Sequence, residues 1–502
     1  MRKYLSLIVG VLLCSSCGKF LEEFSQDLAY ARDCHDLDEI LIGNGYMQQP
    51  AGWDRASVYG NGYFPYIHVM DDDIQIELVG GGDEAMNGIK SFKNFYDWSN
   101  QLNINPDSGE EWEDSDWMKI YSHIGYLNVI IAHVKKYTSD SVEIRNRVEG
   151  EARFLRGAYY YLLVNLYANP YVYETASKDM GVPLNLTEDI EDKYYHRNTM
   201  AECYDVIVKD LQVAAEKLHG VEQATFYRVN ESATRLLLSR VYLYMGEWQL
   251  ALEECEKVMA LENLSLMDLN SYDEEQKILG SENPEILFTQ GMSATNTFGY
   301  DDIDWFLKAA FVGSQELVDL YDYYSDQGVE DLRLNCYFRS SGDYYLVNKV
   351  SDYSRVYDIF VLRAAEAYLN KAEAEAMLDK AEAISTIKNL LTKRFKDGQV
   401  PAIDELQGEK LVKFIRDERR RELCFEAHRW FDLRRYAVSP KYPEKKEIRH
   451  KAYDKNGVYE GVYVLKPYGE DPAWVLPIPG YEIVYNQGVL VDNPERIKRE
   501  LE

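Results

Sequence analysis

Beyond the N-terminus no Cys-x-x-Cys pair occurs in this chain of 502 residues, and its cysteines there, Cys34, Cys203, Cys255, Cys336 and Cys424, stand far apart. That spacing excludes a zinc ribbon or a redox dithiol, and the odd number argues against a disulfide scaffold, so free or buried thiols are expected. An exported chain with unpaired thiols suits an organism living without oxygen. The eight histidines are dispersed, with no metal-ligand spacing. HExxH, GxSxG, Walker and helix-opening GxGxxG sequences are absent, and Gly80-Gly81-Gly82 lacks the Lys-Ser or Lys-Thr that phosphate binding needs. No catalytic residue, metal or cofactor is therefore predicted. Basic residues are outnumbered, 55 against 85 acidic, for a net charge of −30. Nucleic-acid binding and docking on an anionic membrane through Lys and Arg are both excluded by that balance. After the N-terminus no apolar run reaches membrane length.

What is present begins at the N-terminus. Arg2 and Lys3 precede the apolar run Leu5 to Leu13, followed by Ser15, Ser16 and Cys17. This is the layout of a secretory signal, too short to span a bilayer. Small residues before a cysteine suit a lipoprotein signal peptidase, so residues 1–16 are predicted to be removed and Cys17 to carry the lipid. Cys14 is not the acceptor, because the bulky Leu13 precedes it. Several acyl chains on one cysteine make a durable anchor, and this lipid is the only membrane attachment expected. Losing Arg2 and Lys3 leaves 53 basic against 85 acidic residues, a net −32.

Ser232 to Leu261 has the period of two amphipathic helices with a turn at Met245-Gly246-Glu247. Ser239, Gly246, Trp248, Ala251 and Val258 occupy positions where a tetratricopeptide hairpin requires small, glycine, aromatic, alanine and small apolar residues. A second copy runs from Phe360 to Arg394, with Ala365, Ala367, Tyr368, Ala372, Ala374, Ala383 and Ile384 in the pattern. Two repeats are unstable alone. Trp117 to Tyr137 with Val142 to Ala168, and Thr199 to Leu218, supply further helices, for about four hairpins in a mostly α fold. The segments 43–100, 264–357 and 439–493 are rich in Gly, Asn, Asp and aromatics, and are predicted to form loops and short strands that carry function.

Three stretches resemble the SusD/RagB family of surface lipoproteins. They are Cys17-Gly18-Lys19-Phe20-Leu21-Glu22-Glu23, the string RDERRRELCFEAHRWFDLRRY from Arg416 to Tyr436, and Leu476-Pro477-Ile478-Pro479 with Glu482, Asn486 and Asn493-Pro494. Asp492 stands where the family usually has glutamine. The resemblance implies four tetratricopeptide hairpins docked on a SusC-like TonB-dependent transporter, ligand held by loops, no catalysis, and an outer-membrane lipoprotein facing the cell exterior. The organisation expected is a signal peptide (1–16), a tether and N-terminal loop region (17–112), helices (113–261), a ligand-binding insertion (262–357), repeat and signature helices (358–436) and a C-terminal loop region (437–502).

The signature string is read as one buried helix. Glu418, Glu422, Glu426, Arg429, Asp432 and Arg434 would be paired charges, with Phe425, Trp430, Phe431 and Leu433 on its apolar side. The run Asp71-Asp72-Asp73 offers a glycosidase carboxylate or a calcium ligand, but a solvated turn is preferred, since a run alone shows no carboxylate pair and no EF-hand spacing. Sugar rings stack their C–H face on Trp or Tyr while Asn, Asp, Gln or Arg meet the hydroxyls. On that basis Tyr63, Asp72, Trp98, Asn296, Tyr300 and Trp305 are the candidate ligand contacts. Trp248 and Trp430, on repeat and signature helices, are assigned to packing. The expected function is capture of an oligosaccharide or polysaccharide and its delivery to the transporter. Peptide capture is the alternative, with a surface glycoside hydrolase or a pure scaffold ranked below it.

Overall fold

In a computed structural model, the structure describes all residues except 1–30, 49–61, 78–91, 105–108, 110–114, 262–263, 274–275, 296–309, 351–355, 455 and 457. Helix α1 (Cys34–Ile40) runs into a π turn at Leu41–Gly45. The helical array follows: α2 (Ser115–His133), α3 (Val142–Tyr167), α4 (Met200–Lys217), α5 (Glu231–Met245) and α6 (Trp248–Met259). It continues with α7 (Gln315–Asp322), α8 (Arg333–Tyr337), α9 (Ala364–Met377), α10 (Glu382–Leu391), α11 (Gly408–Leu423), α12 (Arg429–Ala437) and α13 (Gly480–Tyr485). Both predicted repeats are helical hairpins, α5 with α6 and α9 with α10, and α2 to α4 form the earlier helices.

Local chemistry explains these boundaries. Thr199 and Glu202 make a reciprocal capping box at the start of α4, with N···O distances of 3.2 and 2.8 Å. Asn230 caps α5 by accepting from the Ala233 amide at 2.9 Å, and its own amide donates to the Leu287 carbonyl at 2.7 Å. One side chain thus starts a helix and ties it to a strand. Gly150 and Gly157 lie one above the other on α3, where a Cβ would meet Leu218 at 2.7 Å and Leu211 at 3.2 Å. Their lack of a side chain lets α3 and α4 pack closely. Across the repeats, Asn370 on α9 donates to the Ser239 hydroxyl on α5 at 3.0 Å.

Gly246 ends α5 at φ 77° with open space around its missing Cβ, so an alanine there meets only backbone strain. Gly246→Ala is expected to cost about 1 kcal/mol, read as a lower urea midpoint with an unchanged m-value.

Among the described residues the strands are short and pair as four antiparallel ribbons: β1 (Ile74–Glu77) with β3 (Ala310–Gly313), β2 (Ile286–Thr289) with β6 (Val361–Arg363), β4 (Phe338–Ser341) with β5 (Tyr344–Val347), and β7 (Ile448–Tyr453) with β8 (Tyr459–Leu465). The second repeat is therefore helical only from Ala364, because Val361–Arg363 pairs with β2. One large apolar cluster gathers Tyr46, Leu127, Phe154, Leu237, Phe288, Trp430 and Trp474. A smaller one packs α9, α10 and α11 around Leu369, Ile387 and Val412. The described cysteines are all free and buried.

The signature segment departs from the single helix predicted. Helix α11 stops at Leu423 and α12 starts at Arg429, with Phe425 at φ 57° and Ala427 at φ 58° between them. The cause is cationic capping. Lys349 Nζ donates to the carbonyls of Glu422 and Cys424 at 3.0 Å each, and Arg363 Nη2 donates to the Glu422 carbonyl at 2.7 Å. The last-turn acceptors are satisfied from distant elements, so the helix has no need to continue. The paired charges of this segment are buried: Glu418 meets Arg333 at 2.8 Å, Glu426 meets Arg363 at 2.8 Å, and Asp432 meets Arg419 at 2.8 Å. Trp430 stacks on Trp474 at 4.8 Å, in the packing role assigned to it.

Candidate functional site

Three of the six candidate contacts are described, and the structure places all three inside. Asn296, Tyr300 and Trp305 lie outside the described residues. Trp98 is fully covered: its indole N–H donates to the Met70 carbonyl at 2.9 Å, and its ring stacks at 4.3 Å on His450, which stacks in turn on Tyr96 at 4.1 Å. A covered ring offers no face to a sugar, so the structure moves Trp98 from ligand contact to core. Tyr63 is also buried, its hydroxyl 2.8 Å from His123 Nε2 and accepting from the Gln48 amide at 3.3 Å.

Asp72 sits in an ion cluster rather than at a solvated turn. Arg429 grips it through Nε at 2.6 Å and Nη2 at 2.8 Å, Arg420 lies at 3.0 Å, and Lys446 completes the set. Asp71, Asp72 and Asp73 are all buried, and their carboxylates lie within 4.8 Å of one another. Burial raises the Asp72 carboxyl, but Arg420, Arg429 and Lys446 outweigh it and hold it well below the usual range. Asp71 goes the other way: burial, then its neighbours Asp73 and Asp72, push it well up. The protein's own guanidiniums thus supply the positive charge that a calcium ion would bring.

A different place has the character of a ligand site. Where the π turn ends, Tyr46, Tyr227, Tyr357, Gln48, Arg228 and Gln290 border an open cleft of about 460 Å³, within the range of small-molecule sites. The turn swings Tyr46 out of helical geometry, to φ −77° and ψ 148°. Its hydroxyl donates to Glu151 on α3 and accepts from the Val229 amide at 3.1 Å. Arg228 donates to Glu151 at 2.7 and 2.9 Å and also to Asp38. Its charge is therefore spent inside the wall.

Gln290 follows β2 and is only 4% exposed. Its carbonyl oxygen accepts from the Met47 amide and the Tyr159 hydroxyl, both at 3.1 Å, while its Nε2 has no partner among the described residues. An unpaired buried amide N–H at a cleft wall is a costly group, satisfied when a ligand oxygen arrives. Beside this donor the half-buried Tyr227 offers a ring to an apolar sugar face, while Tyr46 and Tyr357 are buried in the wall. The carboxylates behind the wall, Glu151 and Asp38, are locked by Arg228 and Arg147, with Arg147 at 3.2 and 2.9 Å. Sequence reasoning missed the cleft because residues 42–48, 227–228, 289–291 and 357 meet only in the fold; the loop-like Gly43-Asn44-Gly45-Tyr46 was the one local signal.

Among the described residues, no helix is long and apolar enough to cross a membrane. A family model described as "SusD family" matches residues 309–495, and one described as "Starch-binding associating with outer membrane" matches residues 82–243. The chain is 25% identical to a SusD-like protein P2 of Formosa agariphila, over 92% of this chain and 96% of that one. A SusD superfamily protein of Bacteroides thetaiotaomicron shares the fold at a TM-score of 0.69 and 21% identity, covering 92% of this chain and all (100%) of the other. A SusD-like carbohydrate binding protein of Bacteroides vulgatus does so at 0.63 and 19%, covering 91% and 97%. The two matched regions take in α2 to α4, the second repeat and the signature string, and the resemblance to the SusD/RagB family read in the sequence is borne out by both.

Proposed function

We propose that this protein captures an oligosaccharide or polysaccharide at the cell surface and hands it to a SusC-like TonB-dependent transporter, without transforming it. The observation that carries this reading is the cleft, where three tyrosines flank the unpaired, buried amide N–H of Gln290. A lipid on Cys17 would hold the protein on the outer membrane, facing out, and raise the local concentration of captured glycan at the transporter mouth. Asn296, Tyr300 and Trp305, which follow Thr295 in the chain, remain proposed ligand contacts.

Calorimetric titration of the purified protein with plant, host and microbial glycans and with mixed peptides tests the reading. Saturable binding of a glycan is expected; saturable binding of peptides with silence on every glycan overturns it. Release of reducing ends from a bound glycan would instead mark a hydrolase. Tyr227 is half-buried, so its truncation spares the core. Tyr227→Ala is expected to weaken glycan binding roughly three- to tenfold, the value of one aromatic contact of about 0.5–1.5 kcal/mol, with an unchanged melting temperature.

A further inference from the structure

One buried carboxylate serves both walls of the cleft. Glu151 lies on α3 and is 0% exposed, so no ligand reaches it. Its Oε2 accepts from the Tyr46 hydroxyl and from Arg228 Nε at 2.7 Å. Its Oε1 accepts from Arg228 Nη2 at 2.9 Å, Gln223 Nε2 at 3.0 Å and Arg147 Nη1 at 3.2 Å. Tyr46 stands on the wall that follows the π turn, and Arg228, next to Tyr227, stands on the wall made by the connection between α4 and α5. Neither segment is helix or strand at these positions, so side-chain contacts decide where they stand.

The two walls meet through Glu151. The Tyr46 hydroxyl, which donates to it, accepts from the Val229 amide at 3.1 Å, and the Arg228 guanidinium lies 5.6 Å from the centre of the Tyr46 ring. Gln223 Nε2 also donates to the Val229 carbonyl at 2.7 Å, which braces the connection behind Arg228. Because Arg228 bonds both oxygens of Glu151, its planar fork is fixed in direction as well as distance. Asp38 on α1 shares Arg147 and Arg228, so two carboxylates and two guanidiniums leave no net charge. Glu151 itself is set firmly: at the preceding Gly150, α3 packs so closely on Leu218 that a Cβ would meet it at 2.7 Å.

We propose that Glu151 is a positioning residue for the cleft: by holding Tyr46 and Arg228 on one carboxylate it fixes the separation of the walls and the face that Tyr227 presents to a sugar. The inference rests on the capture reading above. A wall held before the ligand arrives costs no ordering on binding, whereas a released wall takes that cost out of the affinity. Glu151→Gln keeps the shape and removes the device. Every partner of Glu151 is a donor, and Arg228 uses both oxygens, so the amide N–H of a glutamine faces Arg228 whichever way it turns.

The test is calorimetric titration at low temperature, where the variants stay folded, with whichever of soluble starch, xyloglucan, arabinoxylan, pectin and yeast mannan saturates the wild-type protein. Glu151→Gln is expected to bind that polysaccharide about tenfold more weakly. In the Glu151→Gln background, adding Tyr227→Ala is expected to cost less than about twofold, because a ring no longer held in place has little left to lose. Glu422→Gln, which takes a charge from buried arginines outside the cleft, controls for stability alone, and its affinity is expected to stay within about twofold of wild type. Where Glu151→Gln does not fold, Arg228→Lys carries the same test, since an ammonium keeps the charge without spanning both oxygens. Wild-type affinity in Glu151→Gln, a full Tyr227→Ala effect in its background, or an equal loss in Glu422→Gln overturns the positioning role and leaves capture standing. Silence of the wild-type protein on every polysaccharide removes the capture reading and this inference with it.

Discussion

Glu422→Ala is expected to lower the unfolding free energy by about 3–5 kcal/mol, because it takes a shared carboxylate from several buried cations at once. Its Oε1 accepts from Arg363 at 2.7 Å, Arg394 at 2.9 Å and Tyr337 at 3.1 Å; its Oε2 accepts from Arg394 at 2.9 Å and Arg333 at 3.3 Å. Arg363 and Arg394 also share Glu285, at 2.8 and 2.6 Å, so the arginines lose a common partner rather than a private one. All of these side chains are buried, and water cannot replace the missing carboxylate without opening the core. Urea unfolding followed by tryptophan fluorescence checks the size. A loss below about 1 kcal/mol, the range of an exposed pair, would mean the network is solvated.

The same residue sets the acid limit. Burial raises the Glu422 carboxyl, but Arg394, Arg363 and Arg333 override it and hold it well below its ordinary value of 4.5. A folded-state value below the unfolded one gives stability that is complete above the unfolded pKa and lost as pH falls through the folded one. Glu426, Glu373 and Asp432 are lowered in the same direction by their arginines and lysine. Wild-type stability is thus expected to decline progressively below about pH 4.5, and Glu422→Gln to decline less steeply there from a lower starting value.

Trp98→Ala is expected to cost about 3–5 kcal/mol and to leave the glycan affinity of the folded protein unchanged. The indole fills a covered position, supports one side of the His450 ring, and hydrogen-bonds Met70. His450 in turn lies 2.6 Å from the Tyr96 carbonyl and 2.8 Å from the Asp71 carbonyl, so it fixes the β7 ribbon to the two segments beside it. Removing Trp98 opens a cavity against this joint. Thermal unfolding and a titration at low temperature, where the variant stays folded, separate the two properties. Lost affinity at wild-type stability would return Trp98 to the ligand site.

The helices were legible because their determinants are local. Thr199 and Glu202 cap a helix three residues apart, and Gly246 turns a hairpin between two amphipathic periods. The signature string also announced buried charge pairs. Its break was not legible, since Lys349 and Arg363, which cap α11, stand about 60 to 75 residues away in sequence. Distance hid the fate of Asp71-Asp72-Asp73 as well: a run of aspartates next to a turn looks solvated until Arg420 and Arg429 arrive from the other end of the chain. Trp98 misled for a subtler reason. An aromatic next to Asp and Asn has the composition of a sugar platform and of a capped core equally, and only burial tells them apart.

The ion network around Glu422 also has a kinetic consequence. Its members span residues 285 to 426, with partners 59, 78, 85 and 109 positions apart. Contacts of such sequence separation form late, after the entropy of closing long loops has been met. An N-terminal fragment that has not yet reached Glu422 holds Arg333, Arg363 and Arg394 without their shared carboxylate, and it has every reason to keep them in water. A core held by this network closes only once the last helices of the chain have been made.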